Sequence, residues 1–216
     1  MCIKQRERQC KQKIKLIKEY VIMTPEEIRK LFEQYQALLS GHFLLSSGLH
    51  SDTYFQSALI LQHPAVAGRL AEALAANILK SIPEIDAVVS PAMGGVVIGQ
   101  EIGRALGKRA FFCERVERKL TLRRGFTITP GEKYLLVEDV ITTGLSTREV
   151  IEVVTAMGGK VVAVASLVDR SGGEVDFGVP RFSLLSLEVK SYKPEECPLC
   201  KKGIPAIKPG SRTNKK

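Results

Sequence analysis

Two adjacent carboxylates, Glu138 and Asp139, close the apolar run Tyr134 to Val137 and are followed at once by Thr142, Thr143, Gly144, Ser146 and Thr147. Residues of these types at this spacing suit a phosphorylated sugar. A strand-to-helix turn rich in hydroxyls and backbone N–H groups, with Gly144 free to take positive φ, makes an anion cradle at a helix N-terminus. The paired acids would repel a bare phosphate, but each carboxylate accepts a hydrogen bond from a sugar hydroxyl. A sugar ring with a phosphate on one arm satisfies both halves. The chain has no G-x-x-x-x-G-K-[ST] and no G-x-G-x-x-G after its first strand, which argues against a nucleoside triphosphate or a dinucleotide.

The elements that must position these groups follow from hydrophobic periodicity. Tyr134 to Val137 predicts a strand buried on both faces, and Arg148 to Met157, with Val150, Ile151, Val153, Val154 and Met157 on one face, predicts the helix after it. Upstream, "IDAVVSPAMGG" is a buried strand ending in a glycine loop, Val96 to Leu106 a helix, and "KRAFFCERV" another strand; downstream, "GKVVAVASLVDR" is a further strand. Thr24 as N-cap, Pro25 at the first helical position and acids in the first turn open an earlier helix, "SGHFLLSSGLHSDTYFQSALIL" predicts a small β-hairpin region, and Pro64 to Lys80 a helix. Strand and helix alternate through the middle of the chain. The expected fold class is therefore α/β, a parallel doubly wound sheet with a small N-terminal hairpin or hood subdomain. Ligands on such sheets sit beyond the carboxyl ends of the strands. Pro91 to Gly95, Glu114 and Arg115, Glu138 to Thr147, and Asp169 and Arg170 all fall there. The basic stretch "ERKLTLRRGFTITPGE" shows no periodicity and predicts an irregular loop beside that edge.

Composition sets the surroundings. The 216 residues, 44% hydrophobic and 25% charged, suffice for one sizeable α/β domain and a small accessory. No apolar run has membrane length, and the basic N-terminus is not followed by the apolar core of a signal peptide. Five cysteines, Cys2, Cys10, Cys113, Cys197 and Cys200, do not form a secreted disulfide framework, so a cytoplasmic protein is expected. The net charge of +9 belongs to the ends: residues 1 to 23 carry seven Lys/Arg against two Glu, residues 190 to 216 eight against two, and the remaining 17 bases and 19 acids leave −2 between them. Without a basic groove or recognition-helix pattern, solvated tails are expected and nucleic acid is not. The domain is expected to span 23–212, its hood built from 23–63 and part of the C-terminal segment, with 1–22 a basic extension or misassigned start and 213–216 a basic tail. Cys197 and Cys200, in "CPLC", have half-site spacing for zinc, but one such pair favours a disulfide or a turn, and no protein metal ligands are expected. His42, His50 and His63 are scattered and read as loop or surface histidines.

The segment "VEDVITTGLST" resembles the signature of type I phosphoribosyltransferases, and "HFLLSSGLHSDTYFQ" resembles the substrate hairpin of the orotate phosphoribosyltransferase family. "LRRGF", "VDRSGG" and "ECPLCKKGIPAIKPGSR" are similar to its thermophile-type branch, the likeness running from about Met23 to Arg212. The resemblance implies that Glu138 and Asp139 hold the ribose hydroxyls of 5-phosphoribosyl 1-diphosphate, Asp139 also assisting the charge on the ring. By the same resemblance Val140, Ile141, Thr142, Thr143, Gly144, Leu145 and Ser146 form the 5-phosphate loop, Ala92, Met93, Gly94 and Gly95 the diphosphate loop, and Thr142 and Arg170 the orotate contacts. It further implies Mg²⁺ as cofactor and a homodimer whose active sites are shared, with Arg115 and Lys119 as catalytic cations. Three departures stand out. Ser46 replaces a lysine common in bacterial relatives, the Tyr-Lys pair those relatives carry near Met93 and Gly94 is absent, and the basic loop holds no histidine. Two other readings are a purine-type phosphoribosyltransferase, which would lack the hairpin and the Arg170 contact, and a regulatory protein binding phosphoribosyl diphosphate and nucleic acid.

Overall fold

In the computed structural model, residues 23–45, 48–187 and 189–209 are described. The expected extension 1–22, Ser46 and the tail 213–216 lie outside them. Thr24 begins α1 (Pro25–Gln34), the first helix of the described residues, as its residue type predicts: its Oγ1 accepts from the Glu27 N–H at 3.2 Å while the Glu27 carboxylate accepts from the Thr24 N–H at 2.7 Å. Ile28 and Phe32 are the buried face of α1. It packs beside a three-stranded antiparallel sheet of β1 (Leu38–Leu44), β2 (His50–Phe55) and, from the far end of the chain, β9 (Ser191–Tyr192).

The central sheet has six strands, β3 (Ala87–Pro91), β4 (Arg109–Val116), β5 (Lys119–Leu122), β6 (Lys133–Ile141), β7 (Lys160–Asp169) and β8 (Arg181–Ser186), in the order β5-β4-β3-β6-β7-β8. All neighbours are parallel except β5, which returns antiparallel to β4. The helices are α2 (Ser57–Leu61), α3 (Pro64–Leu79), α4 (Gly94–Leu106) and α5 (Leu145–Ala156), with the short α6 (Pro198–Lys201) near the C-terminus. Leu135 and Val137 of β6 enter one core cluster with α3 and α4, while Tyr134 and Leu136 enter the other with Val150 and Val154 of α5. Both sheet faces are therefore covered, which is why the β6 run is apolar without alternation. The Tyr134 hydroxyl, at the buried end of that strand, accepts from the Thr129 N–H at 2.8 Å and donates to Glu132 at 2.7 Å.

Several boundaries differ from expectation for identifiable reasons. β6 continues past Val137 through Glu138 and Asp139, because its ladder with β7 extends to the pairs Glu138 with Ser166 and Ile141 with Asp169. The acids thus sit on the sheet. α5 starts at Leu145, three residues early, and α4 at Gly94, so each phosphate-type loop feeds straight into a helix. The segment "SALIL" is helix α2 instead of hairpin, and β8 appears where no strand was expected. The basic stretch is not irregular at its start. Lys119 to Leu122 pairs with β4 around a two-residue turn at Glu117 and Arg118, both at positive φ (46° and 72°), the twist that tight hairpins require. Leu120 and Leu122 carry the period-two signal that the charges obscure, and Leu120 is buried in the second core.

Candidate active site

β3, β6 and β7 end on one edge of the sheet, and the loops leaving them converge there. Pro91 leads through Ala92 and Met93 into α4, Ile141 leads through Thr142 and Thr143 into α5, and Arg170 follows β7 directly, its N–H bonded to the Ile141 carbonyl at 2.9 Å. The two glycines before α4 let backbone approach the acids. A Cβ on Gly94 would lie 2.7 Å from Asp139 Cγ, and one on Gly95 3.0 Å from Glu138 Oε2, so any side chain there would push the loop off the carboxylates. Gly144 stands at φ 73° as the N-cap of α5, with no side-chain cap among the described residues. The first-turn N–H groups of α5 therefore remain available for an anion. Thr142, Thr143 and Leu145 are exposed and Ser146 half-buried around them. Arg148 straps this loop by donating to the Thr143 carbonyl at 2.9 Å and the Asp176 carbonyl at 3.1 Å.

Electrostatically, the acid pair is poised for a ligand. Glu138 Oε2 is buried without a hydrogen-bond partner among the described residues. Burial, and then the charge of Asp139, hold the Glu138 carboxyl well above its ordinary range. Burial also raises that of Asp139, opposed by the Ser57 hydroxyl, which donates to Asp139 Oδ2, and by backbone N–H groups. Across from them the half-buried Arg170 places its guanidinium 5.8 Å from the Phe55 ring centroid, and its Nε is buried and unpartnered among the described residues. Burial lowers the Arg170 pKa, with Tyr54 opposing. Burial raises that of Tyr54, with Arg170 lowering and Asp139 raising it. Tyr54, Phe55 and Ser57 were not singled out from the sequence; the aromatic pair closing the polar run "HSDTYF" was the available signal, and Ser57 offered none.

The structure separates the basic candidates. Arg115 donates to Glu149 of α5 at 2.7 Å and to the Arg118 carbonyl, and Arg123 and Arg124 lie 3.6 and 2.9 Å from Glu114. Lys119, exposed beside the hairpin turn, makes no ion pair among the described residues. Asp169 is fully buried, accepts from the Ser171 N–H and hydroxyl, and is ion-paired with Arg181 Nε 3.2 Å away, which makes it a loop-holding group. The histidines depart most from expectation. Only His63 is exposed, its ring 4.6 Å from that of Tyr35. His42 and His50 are buried in β1 and β2, and one ring nitrogen of each and the sulfurs of Cys197 and Cys200 all lie within 4.8 Å of one another. Both cysteines are free thiols on a tight turn, so of the expected disulfide or turn it is the turn that forms.

The raised acids give a stability prediction. A carboxyl whose folded pKa exceeds its unfolded value favours the fold below the ordinary carboxylate range, and that contribution is lost as pH rises through the raised value. Glu138→Gln is therefore expected to raise the ligand-free Tm by about 2–4 °C at pH 7.5, with the gain vanishing near pH 4. A lower Tm at pH 7.5, followed by calorimetry, would mean that Glu138 is ionised and held by an attraction instead.

A parallel doubly wound sheet with paired acids and a hydroxyl loop at its ligand edge defines the type I phosphoribosyltransferase class, and the family model for the phosphoribosyl transferase domain matches residues 57–182. Within that class, the chain is 56% identical over 191 residues to the orotate phosphoribosyltransferase of Heliobacterium modesticaldum, covering 88% of this chain and 100% of that one. It is 55% identical over 186 residues to that of Carboxydothermus hydrogenoformans, covering 86% and 97%. The solved orotate phosphoribosyltransferase of Aeropyrum pernix superposes with a TM-score of 0.58 at 26% identity, over 74% of this chain and 93% of that one. The chain belongs to the orotate phosphoribosyltransferase family. No helix among the described residues is long and apolar enough to cross a membrane.

Proposed function

We infer that the protein transfers the 5-phosphoribosyl group from 5-phosphoribosyl 1-diphosphate to N1 of orotate, giving orotidine 5′-phosphate and diphosphate in pyrimidine biosynthesis. The observation that carries this reading is the juxtaposition of the buried acid pair with Arg170, whose buried Nε has no hydrogen-bond partner among the described residues. The first suits ribose hydroxyls, and the second suits the carboxylate that orotate has and purine bases lack.

In this assignment Glu138 and Asp139 accept from the two ribose hydroxyls. The loop Val140 to Ser146 and the uncapped start of α5 hold the 5-phosphate, and the backbone of Ala92 to Gly95 faces the diphosphate. Arg170 pairs with the orotate carboxylate while Thr142 reaches the ring and Tyr54 and Phe55 wall the pocket. N1 of orotate attacks C1 as the C1–O bond to diphosphate breaks and the N1 proton leaves with the diphosphate, so positive charge grows on the ring and negative charge on the leaving group in the transition state. Asp139, close to the ring, favours the first. The donors present here are carboxylate oxygens, which fit Mg²⁺; Glu138 and Asp139 would hold it together with the substrate's own oxygens. When bound, it supplies neutralisation of the leaving diphosphate. Lys119 supplies a mobile positive charge, from a partner subunit in a homodimer. Free thiols at Cys113, Cys197 and Cys200 support a cytoplasmic setting.

Orotate loss in the presence of Mg²⁺ and phosphoribosyl diphosphate tests the reading directly. Turnover with adenine or hypoxanthine in place of orotate would shift the assignment to a purine-type enzyme, and salt-sensitive RNA binding without turnover to a regulatory protein. Arg170→Ala is expected to raise the orotate KM by about 10- to 100-fold while leaving that for the sugar diphosphate nearly unchanged. Equal effects on both substrates would remove Arg170 from the base site.

A further inference from the structure

Four metal-ligating side chains that take no part in this chemistry meet at the other end of the hairpin. His42 lies on β1 and His50 starts β2, and the two rings meet edge to face at a centroid distance of 4.7 Å with Nε2 of His42 2.8 Å from Nδ1 of His50. Pairing of β9 with β2, His50 opposite Tyr192, brings the C-terminal segment alongside. That segment turns at Pro194, places Cys197 at the N-cap of α6 and carries Cys200 on its single turn. The Cys197 sulfur lies 3.4 Å from His42 Nε2; that of Cys200 lies 3.7 Å from the same nitrogen and 3.2 Å from His50 Nδ1. His42, His50 and Cys197 are buried, and Cys200 is the exposed member.

We propose that His42, His50, Cys197 and Cys200 bind one Zn²⁺ that fastens the C-terminal segment to the N-terminal hairpin. Two thiolates and two imidazoles are the donor set of a closed, structural zinc site. Tetrahedral Zn–N and Zn–S bonds put neighbouring nitrogen and sulfur atoms roughly 3.6 Å apart, and the observed separations bracket that value. The imidazole of His42 is oriented from behind: its Nδ1 lies 2.7 Å from the Ile204 carbonyl, so Nδ1–H donates there and Nε2 is left to the metal. The backbone around the site is closed as well, the Ile207 N–H bonding to the His42 carbonyl and the Leu44 N–H to the Ile207 carbonyl, each at 2.8 Å. A Cys-Pro-Leu-Cys turn followed by Gly203 at φ 70° supplies both sulfurs from seven residues of chain. The metal holds β2 in place from one end while Tyr54 and Phe55, roughly 13 Å along the strand, face Arg170 at the other.

The full chain, purified with thiols reduced, loaded with Zn²⁺ and dialysed, is expected to retain about one metal per chain by elemental mass spectrometry. Cys2→Ser/Cys10→Ser and Cys113→Ser chains should retain it too, and Cys197→Ser/Cys200→Ser should lose at least nine-tenths. Strong chelation should lower the Tm by at least about 5 °C. Should the double-serine chain not fold, Co²⁺ added to the unaltered chain decides the matter. One equivalent should give the intense visible bands of a tetrahedral site and a thiolate-to-cobalt charge-transfer band, both bleached by Zn²⁺. No metal uptake by the reduced chain, full retention by a folded Cys197→Ser/Cys200→Ser chain, or a Cys197–Cys200 disulfide in protein isolated with its thiols trapped would overturn the proposal.

Discussion

Asp139→Asn is expected to leave a folded protein whose turnover falls by about 10²-fold or more. The fold should survive because asparagine fills the same space against Gly94, and its amide oxygen can still accept from the Ser57 hydroxyl that now donates to Asp139. Removing a carboxyl whose pKa burial has raised also relieves a strain on the ligand-free state. Catalysis should suffer because a neutral amide offers no negative charge to the oxocarbenium-like ring. Steady-state kinetics beside circular dichroism checks both halves. Near-normal turnover in a folded variant would take the acid pair out of the mechanism.

Mixed dimers give the second large effect. In isolation the Asp139→Asn chain and a Lys119→Ala, Arg115→Ala chain should each lose about 10²-fold in turnover. Combined and allowed to exchange, they should regain activity near a quarter of wild type, because about half the dimers are hybrids and each holds one site free of both lesions. The physical basis is the β4–β5 hairpin. It projects Lys119 beside a tight turn at Glu117 and Arg118, away from ion pairing among the described residues, whereas Arg115 is anchored to Glu149 of its own chain. Lys119 is therefore the cation expected to cross to the neighbouring site, and Lys119→Ala alone should account for most of the loss. If labelled chains exchange and no activity returns, the hairpin serves its own subunit and the shared-site arrangement fails.

The acid pair, the hydroxyl loop and the glycine loop were legible in the sequence because each is complete within a few consecutive residues. Their placement at the ends of parallel strands followed from apolar runs separated by helical periods. The β4–β5 hairpin was hidden because the charges of "ERKLTLRR" outweigh the two leucines that pair it, and a tight turn through Glu117 and Arg118 lacks the glycine or asparagine that normally signals one.

What the sequence determined by itself was therefore the local chemistry: a sugar-phosphate motif on an α/β sheet, and a phosphoribosyltransferase resemblance carried by contiguous residues. Only the tertiary structure decided which distant side chains complete it. Ser57 reaches Asp139 across 82 positions of chain, Arg170 meets Phe55 from the opposite end of the domain, and Cys200 approaches His42 across 158. Hydrophobic period and propensity specify how a segment folds on itself, but not which face of another segment it will meet. The histidine–cysteine pairing, for one, is set by β9 joining β2, so a histidine at 42 and a cysteine at 200 carry no mutual signal until the chain has closed.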